Sequence, residues 1–237
     1  MFILGISGLR GQSTAAILRD GKVIAACEEA KLAGRRNPRG LPLKAMRFCL
    51  EAAGIQAKDV QALALDLHPW KLLGSELGFR LAKLPGALTA STFHSIGSVN
   101  RARLLLADTR QLAEMYPQAK VHHFNHHLTH AAAAYYASGY ERALLVTLDG
   151  GGGSESAMVA VGEAGTIKPL AEAHFPNTPG FLYNQMTALL GLHEHEDLHR
   201  AQWLSTIGTP KYREVFARYL EPFHRGELRM EIGRAHV

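Results

Sequence analysis

Two histidines and an aspartate have the types and spacing of a metal site. His126 and His130 are four residues apart at the start of an alanine-rich segment, so they share one face of a predicted helix, while His127 is rotated away. Asp149 follows the apolar run at 143–148, which predicts a carboxylate at the carboxyl end of a strand. Two imidazoles and a carboxylate suit Fe(II), Mn(II) or Zn(II), and residue types alone do not choose among them.

Four glycines follow this aspartate directly. Gly150, Gly151, Gly152 and Gly153 leave the backbone amides bare, so that a phosphate can approach them closely. The plainer alternative is a hairpin loop in which Asp149 is a turn residue and the histidines are solvated or capping groups. Because all these features occur in one contiguous stretch, the sequence favours a shared metal and phosphate site.

Composition indicates a globular protein and excludes several classes. The 237 residues are 47% hydrophobic and 20% charged, and the net charge of +5 is spread along the chain, which suits small anions and predicts no nucleic-acid surface. No apolar run approaches the roughly 20 residues that span a bilayer, and no basic leader is present at the start. Cys27 and Cys49 lie in apolar stretches, as expected for core thiols in a reducing compartment. We expect a cytoplasmic protein without a membrane partner.

The elements that must position these residues occur in a repeated pattern. A strand, a glycine-containing loop, a strand, a tight turn and a third strand are predicted twice, first at residues 2–27 and again from residue 144. Between the copies we predict a helix at 42–53, a strand at 60–65, helices over 70–116 interrupted at Gly74, Pro85–Gly86 and Gly97, and a strand at 120–124. This order describes an α/β layer that resembles ribonuclease H.

Six stretches together carry a more specific resemblance. They are residues 3–7, 20–29, 47–54, 125–131, 148–150 and 175–183. With these motifs the chain resembles the O-carbamoyltransferases of nodulation-factor and antibiotic biosynthesis, which are related to the tRNA threonylcarbamoyladenosine-synthesising enzymes. The resemblance implies the duplicated ribonuclease-H-like fold of the actin, Hsp70 and sugar-kinase superfamily, with an incomplete second subdomain.

The resemblance also implies a domain division. The first ribonuclease-H-like subdomain is expected at residues 1–141 with a helical insertion at 70–118, and the start of the second at 142–226. Residues 227–237 are assigned to a tail, with a non-native end as a hypothesis. A partly built second subdomain would expose apolar faces near residues 181–223.

The activity implied by the resemblance is a metal-dependent, ATP-using carbamoyl transfer. In such enzymes carbamoyl phosphate and ATP form a carbamoyl adenylate in a C-terminal domain, which we expect to be missing from these 237 residues. The N-terminal domain passes the group to a hydroxylated small-molecule acceptor. His126, His130 and Asp149 match the family's iron ligands, so Fe(II) is the expected ion. The loop from Gly150 matches the nucleotide-phosphate contact. We expect the fragment alone to be inactive.

The first glycine loop departs from the family pattern. Where the family usually has a His and an Asp before a Ser, this chain has Arg10 and Gln12 before Ser13, and these three are the candidate catalytic residues. Arginine stays protonated and cannot act as a base, although its fork can hold a phosphate. The alternative function is therefore a degenerate, nonenzymatic nucleotide-binding module of the same fold. A sugar or acid kinase is a third hypothesis, which would not need the histidine pair.

Overall fold

A computed structural model describes ten stretches of the chain, which form two compact units. The stretches are residues 1–9, 12–35, 38, 40–68, 91–150, 155–174, 179–193, 197–217, 220–224 and 227–230. The first unit ends at Asn125 and the second begins at His126, ahead of the expected boundary at 141. The helix after the boundary belongs to the second unit because it packs against the strands of the second sheet.

The first unit contains a five-stranded mixed sheet. Its strands are β1 (Phe2–Ser7), β2 (Thr14–Arg19), β3 (Lys22–Glu28), β4 (Ala62–Leu65) and β5 (Lys120–His123). They are ordered β3-β2-β1-β4-β5, with β1, β2 and β3 antiparallel and with β4 and β5 parallel to β1. This order confirms the predicted ribonuclease-H-like layer and brings the carboxyl ends of β1, β4 and β5 to one edge.

Helices pack against this sheet. They are α1 (Glu29–Ala33), α2 (Leu43–Ala53) and α3 (Ser91–Met115). Helix α2 contacts β2 and β3 and buries Met46 and Cys49. Its N-terminus is capped by the buried Glu29 carboxylate, which accepts a hydrogen bond of 2.8 Å from the Ala45 amide. The cap satisfies an amide that has no intrahelical partner, and α2 begins at Leu43, one residue after the predicted start.

The predicted helix break at Gly97 is wrong. Helix α3 runs through it without interruption for 25 residues, whereas Gly74 and Pro85–Gly86 lie outside the described residues. One glycine costs a helix only about 1 kcal/mol, and Leu105 and Leu112, buried in the core of the first unit, anchor the rest of the helix. Within the described stretches, no helix combines the length and apolar composition needed to cross a bilayer.

The second unit repeats the first three strands. Strands β6 (Arg142–Leu148), β7 (Glu155–Glu163) and β8 (Thr166–His174) form an antiparallel sheet in the order β6-β7-β8, covered on one face by α4 (His126–Ser138). Its remaining elements are helices α5 (Pro179–Leu189), α6 (Leu198–Ser205) and α7 (Arg213–Ala217) and strands β9 (Leu220–His224) and β10 (Glu227–Met230). The duplicated fold predicted from the sequence is thus present, with three strands of the second sheet in the described part.

Tight turns connect equivalent strands in both units. Asp20 and Gly21 have φ of 51° and 80°, and Ala164 and Gly165 have φ of 48° and 74°. Two successive residues with positive φ give the turn whose twist matches antiparallel strands. The aspartate and glycines tolerate this conformation well, whereas Ala164 is a less favourable choice.

Two expectations concern the end of the chain. Residues 227–230, assigned to the tail, instead form β10, which pairs antiparallel with β9; residues 231–237 lie outside the described part. Apolar exposure was expected near residues 181–223, and in the described portion Leu189 and Ile207 are 77% and 83% exposed. One face of β6 is open as well, through Leu144 and Leu148.

The two cysteines should differ sharply in reactivity. Cys49 is fully buried in the core of the first unit, and this burial raises the pKa of its thiol, while Cys27 is partly exposed. Since the thiolate is the reactive form, we expect Cys49 to react with Ellman's reagent at least about 100-fold more slowly in the native protein than in denaturing guanidinium chloride. In a Cys27→Ser variant the reagent reports Cys49 alone. Equal reaction rates in native buffer and in guanidinium chloride would contradict the packing of α2.

Candidate metal centre

Three side chains from helix α4 and the end of β6 meet at one point. The Nε2 atom of His126 lies 2.8 Å from Oδ2 of Asp149 and 3.0 Å from Nε2 of His130. The third separation, from His130 Nε2 to Asp149 Oδ2, is 3.6 Å. The helix places both imidazoles on one face because they are one turn apart. The structure therefore brings together the three predicted metal ligands.

The spacing of these atoms fits a divalent first-row ion. An ion about 2.0–2.2 Å from each ligand holds neighbouring ligand atoms about 2.8–3.6 Å apart, from a right-angled to a tetrahedral arrangement. The observed separations of 2.8, 3.0 and 3.6 Å lie within that range. The side chains of His126, Asp149 and His130 are 17%, 33% and 54% exposed, so one side of the cluster faces solvent. Three protein ligands with an open side leave coordination positions for substrate or water.

The carboxylate of this cluster is held in its ionised form. The hydrogen bond from His126, and after it the neighbouring His130 imidazole, keep the pKa of Asp149 far below its usual range, against the opposing effect of burial. The Gly150 amide adds a hydrogen bond of 2.5 Å to Oδ1. Because the carboxylate is already deprotonated, protons compete with a metal for the imidazoles alone.

His127 points away from the cluster, as its position on the helix predicted. It is completely buried, and its Nδ1 lies 2.8 Å from Oγ1 of Thr147 on β6. Burial lowers the pKa of the imidazole, which keeps it neutral. This contact fastens the first turn of α4 to the sheet, so His127 holds the turn that carries His126.

The glycine run begins beside helix α5. Gly150 lies close to Gly180 and to the Nδ2 atom of Asn184, whereas Gly151, Gly152 and Gly153 lie outside the described residues. Their phosphate contact therefore remains a prediction. The presence of Gly180 and Asn184 at this loop was not predicted, because both come from a helix about 30 residues later in the chain.

Comparison with known families decides the lineage. Residues 89–232, which include the whole metal cluster, match the model of the family described as carbamoyltransferase N-terminus. The chain belongs to the carbamoyltransferase N-terminal family. This confirms the resemblance drawn from the sequence motifs.

Curated relatives of this carbamoyltransferase domain include nodulation proteins. The chain is 31% identical over 223 residues to nodulation protein NolNO of Sinorhizobium fredii, covering 93% of this chain and 31% of that protein. It is 33% identical over 111 residues to nodulation protein NolO of Bradyrhizobium diazoefficiens, covering 46% and 20%. An uncharacterised Synechocystis protein is 29% identical, with 90% and 36% covered. The chain spans about a third of the length of NolNO and about a third of the length of the Synechocystis protein.

Solved structures that are similar to this carbamoyltransferase domain have low identity. YeaZ from Pseudomonas aeruginosa superimposes with a TM-score of 0.43 at 20% identity, covering 74% of this chain and 67% of that one. The (R)-2-hydroxyglutaryl-CoA dehydratase component A of Acidaminococcus fermentans gives 0.43 at 16% identity, covering 88% and 60%. The fold assignment accordingly rests on the strand order of the two sheets.

The first glycine loop of this family member is partly described. Arg10 lies outside the described residues, Gln12 has φ of 55°, and the Ser13 hydroxyl is buried and donates to the Pro38 carbonyl oxygen at 3.4 Å. The described contact of Ser13 is with backbone, which fits a role in shaping the loop. The catalytic assignments of Arg10, Gln12 and Ser13 remain predictions.

A cluster of polar residues in the first unit was not predicted from the sequence. The Ser7 hydroxyl donates to Oδ2 of the buried Asp66 at 2.6 Å, and Nδ1 of His123 donates to the Leu67 carbonyl oxygen at 2.7 Å. These residues follow or end β1, β4 and β5, whose carboxyl ends share one sheet edge. A sequence signal existed, since each lies at the end of an apolar strand, where ligands of α/β sheets commonly bind.

Proposed function

We propose that this domain provides the acyl-transfer site of a metal-dependent carbamoyltransferase. The observation that carries the proposal is the meeting of His126, His130 and Asp149 within a chain of the carbamoyltransferase N-terminal family. In this proposal carbamoyl phosphate and ATP yield a carbamoyl adenylate elsewhere in a longer protein. The domain described above transfers the carbamoyl group to a hydroxyl of a small acceptor.

The transfer step sets the tasks of the residues. The acceptor oxygen bonds to the carbamoyl carbon, the bond from that carbon to the adenylate phosphate oxygen breaks, AMP departs with the bonding electrons, and the hydroxyl proton is released. In the glycine run from Gly150, the Gly150 amide is engaged by Asp149, and the backbone amides of the glycines that follow suit the phosphate of the departing AMP. Arg10 keeps its charge at all relevant pH values, so its guanidinium fork suits a phosphate group.

The three ligands would hold one divalent ion, with Fe(II) proposed from the family resemblance. Such an ion supplies a Lewis acid for the carbamoyl carbonyl and the attacking oxygen. His126 and His130 offer imidazole Nε2 atoms and Asp149 a carboxylate, which is a suitable donor set for a divalent ion. The open side of the cluster leaves room for the acceptor oxygen.

A chimeric enzyme tests the proposal directly. The chain would replace the matched N-terminal part of Sinorhizobium fredii NolNO, and two products would be followed: pyrophosphate, which reports adenylate formation, and carbon-14 transferred from labelled carbamoyl phosphate to a panel of sugar hydroxyls. We expect His130→Ala to reduce carbamoyl transfer by more than about 100-fold while pyrophosphate release persists. Pyrophosphate release also shows that the adenylate-forming part of the chimera is folded. Full transfer activity in His130→Ala would contradict the proposed site.

The same chimera distinguishes the carbamoyltransferase from the alternative, a degenerate nucleotide-binding module. The sequence feature that favours a degenerate nucleotide-binding module is Arg10, which cannot accept a proton. If that alternative holds, the unmutated chimera releases pyrophosphate without transfer, and Arg10→His raises the transfer rate. If the carbamoyltransferase proposal holds, the unmutated chimera already transfers the label.

A further inference from the structure

Gly180 makes an exceptionally close approach to the loop that carries Asp149. A Cβ built on Gly180 would lie 2.5 Å from the Gly150 nitrogen and 2.6 Å from both the carbonyl carbon and the carbonyl oxygen of Asp149. Non-bonded carbon contacts of this length do not occur in folded proteins, and the atoms concerned belong to the backbone, so none can rotate away. Any side chain at position 180 must therefore move the Asp149–Gly150 peptide or the helix.

The backbone conformation of Gly180 does not itself require glycine. Gly180 lies in the first turn of helix α5 and its φ is outside the left-handed region. Alanine is the better helix former, so neither torsion angles nor helix propensity accounts for a glycine here. The absence of a Cβ at position 180 is what allows the helix to contact the peptide that follows Asp149.

That peptide fixes the direction of the Asp149 carboxylate. Its amide, from Gly150, donates to Oδ1 of Asp149 at 2.5 Å, while Oδ2 lies 2.8 Å from Nε2 of His126. The peptide is also approached by the second turn of α5, since a Cβ on Gly150 would lie 3.1 Å from Nδ2 of the buried Asn184. Two successive turns of one helix therefore hold the segment that aims the carboxylate.

We propose that Gly180 and Asn184 are positioning residues of the metal centre, which set the place of the Asp149 carboxylate through the Asp149–Gly150 peptide. The inference rests on the proposed function for its metal, although the positioning of the carboxylate is independent of it. Neither residue is one of the three candidate ligands. A shift of a few tenths of an ångström at a ligand is enough to weaken a metal site, and loss of supporting contacts costs about 10- to 100-fold in affinity.

The chain offers a matched steric control. A Cβ on Gly162 of β7 would lie 2.6–2.8 Å from three ring atoms of Tyr135, so alanine there is as crowded as at Gly180. Gly162 pairs with Ala143 at the start of β6, whereas Asp149 follows the other end of that strand. Gly162→Ala therefore disturbs the same sheet and helix α4 without pressing on the ligand loop.

The test compares Co(II) binding to the full chain, Gly180→Ala and Gly162→Ala at a temperature where each is folded. We expect the Kd to rise by at least about tenfold in Gly180→Ala, with a changed visible Co(II) spectrum, and to stay within about threefold in Gly162→Ala despite a lower Tm. Equal changes of Kd in the two variants would overturn the proposal, because general destabilisation would explain both. If Gly180→Ala does not fold, Asn184→Ala decides: a raised Kd supports positioning and an unchanged Kd overturns it.

A metal-free measurement separates this inference from the proposed function. The nitrogen-15 shift of His126 Nε2 reports its hydrogen bond to Asp149 without any ion. We expect this shift to change in Gly180→Ala and to be retained in Gly162→Ala. If the unmutated chain binds no metal, the proposed function fails, while the shift still tests the positioning. If both the shift and the Kd are unchanged in Gly180→Ala, the positioning inference is overturned, while the proposed function is not affected.

Discussion

Replacing Asp149 by asparagine should weaken metal binding by more than about 100-fold, the upper end of what loss of an indirect supporting contact costs. Asp149 is the one anionic member of the three-residue cluster, and its pKa lies far below the usual range because His126 hydrogen-bonds to it and the His130 imidazole lies beside it. Asparagine keeps the size and can still accept the Gly150 amide, but it removes the charge. Titration of the full chain with Mn(II) or Co(II) by calorimetry measures the loss.

A carboxylate elsewhere in the same sheet is the control for this substitution. Glu163, at the far end of β7, pairs with Arg142 at 3.4 Å and is exposed. Glu163→Gln should leave the metal Kd unchanged. If Asp149→Asn and Glu163→Gln behave alike, the ion binds elsewhere and the site is assigned wrongly.

Replacing His127 by alanine should destabilise the second unit by about 2–4 kcal/mol. The side chain is fully buried, so its removal leaves a cavity beneath α4 and deprives Thr147 of its 2.8 Å partner. His130, three residues later, is 54% exposed. Its replacement by alanine should change stability by no more than about 0.5 kcal/mol.

Urea unfolding of the metal-free chain distinguishes the two histidines. Stability should fall in His127→Ala and stay close to that of the unmutated chain in His130→Ala, while Co(II) affinity falls in His130→Ala. A Thr147→Val variant tests the partner, because it should destabilise the protein by about 1–3 kcal/mol through the unsatisfied imidazole. Equal stability of the His127→Ala and unmutated chains would contradict the packing of α4 on β6.

Local sequence signals predicted the elements and the histidine geometry well. The four-residue spacing places His126 and His130 together and turns His127 inward, because helical geometry alone fixes these directions. The turn at Asp20–Gly21 follows from local chemistry too, and so does the run of three antiparallel strands that occurs in both units. These features depend on residues close together in the chain.

Tertiary contacts account for what the sequence did not predict. Gly97 does not interrupt α3, because burial of Leu105 and Leu112 outweighs one poor helix former. Gly180 gave no local signal, since its role depends on a backbone contact with a loop about 30 residues earlier. The same is true of the hydrogen bond between Ser7 and Asp66, which joins neighbouring parallel strands separated by 59 residues.

Metal analysis of the purified chain, beside His130→Ala, tests the central claim most directly. With Fe(II) loaded under anaerobic conditions and excess ion removed, we predict one ion per unmutated chain and X-ray absorption from two imidazoles and a carboxylate. The His130→Ala chain should lose the ion during the same treatment. An unmutated chain without stoichiometric metal, or a His130→Ala chain that keeps it, would contradict the shared site of His126, His130 and Asp149.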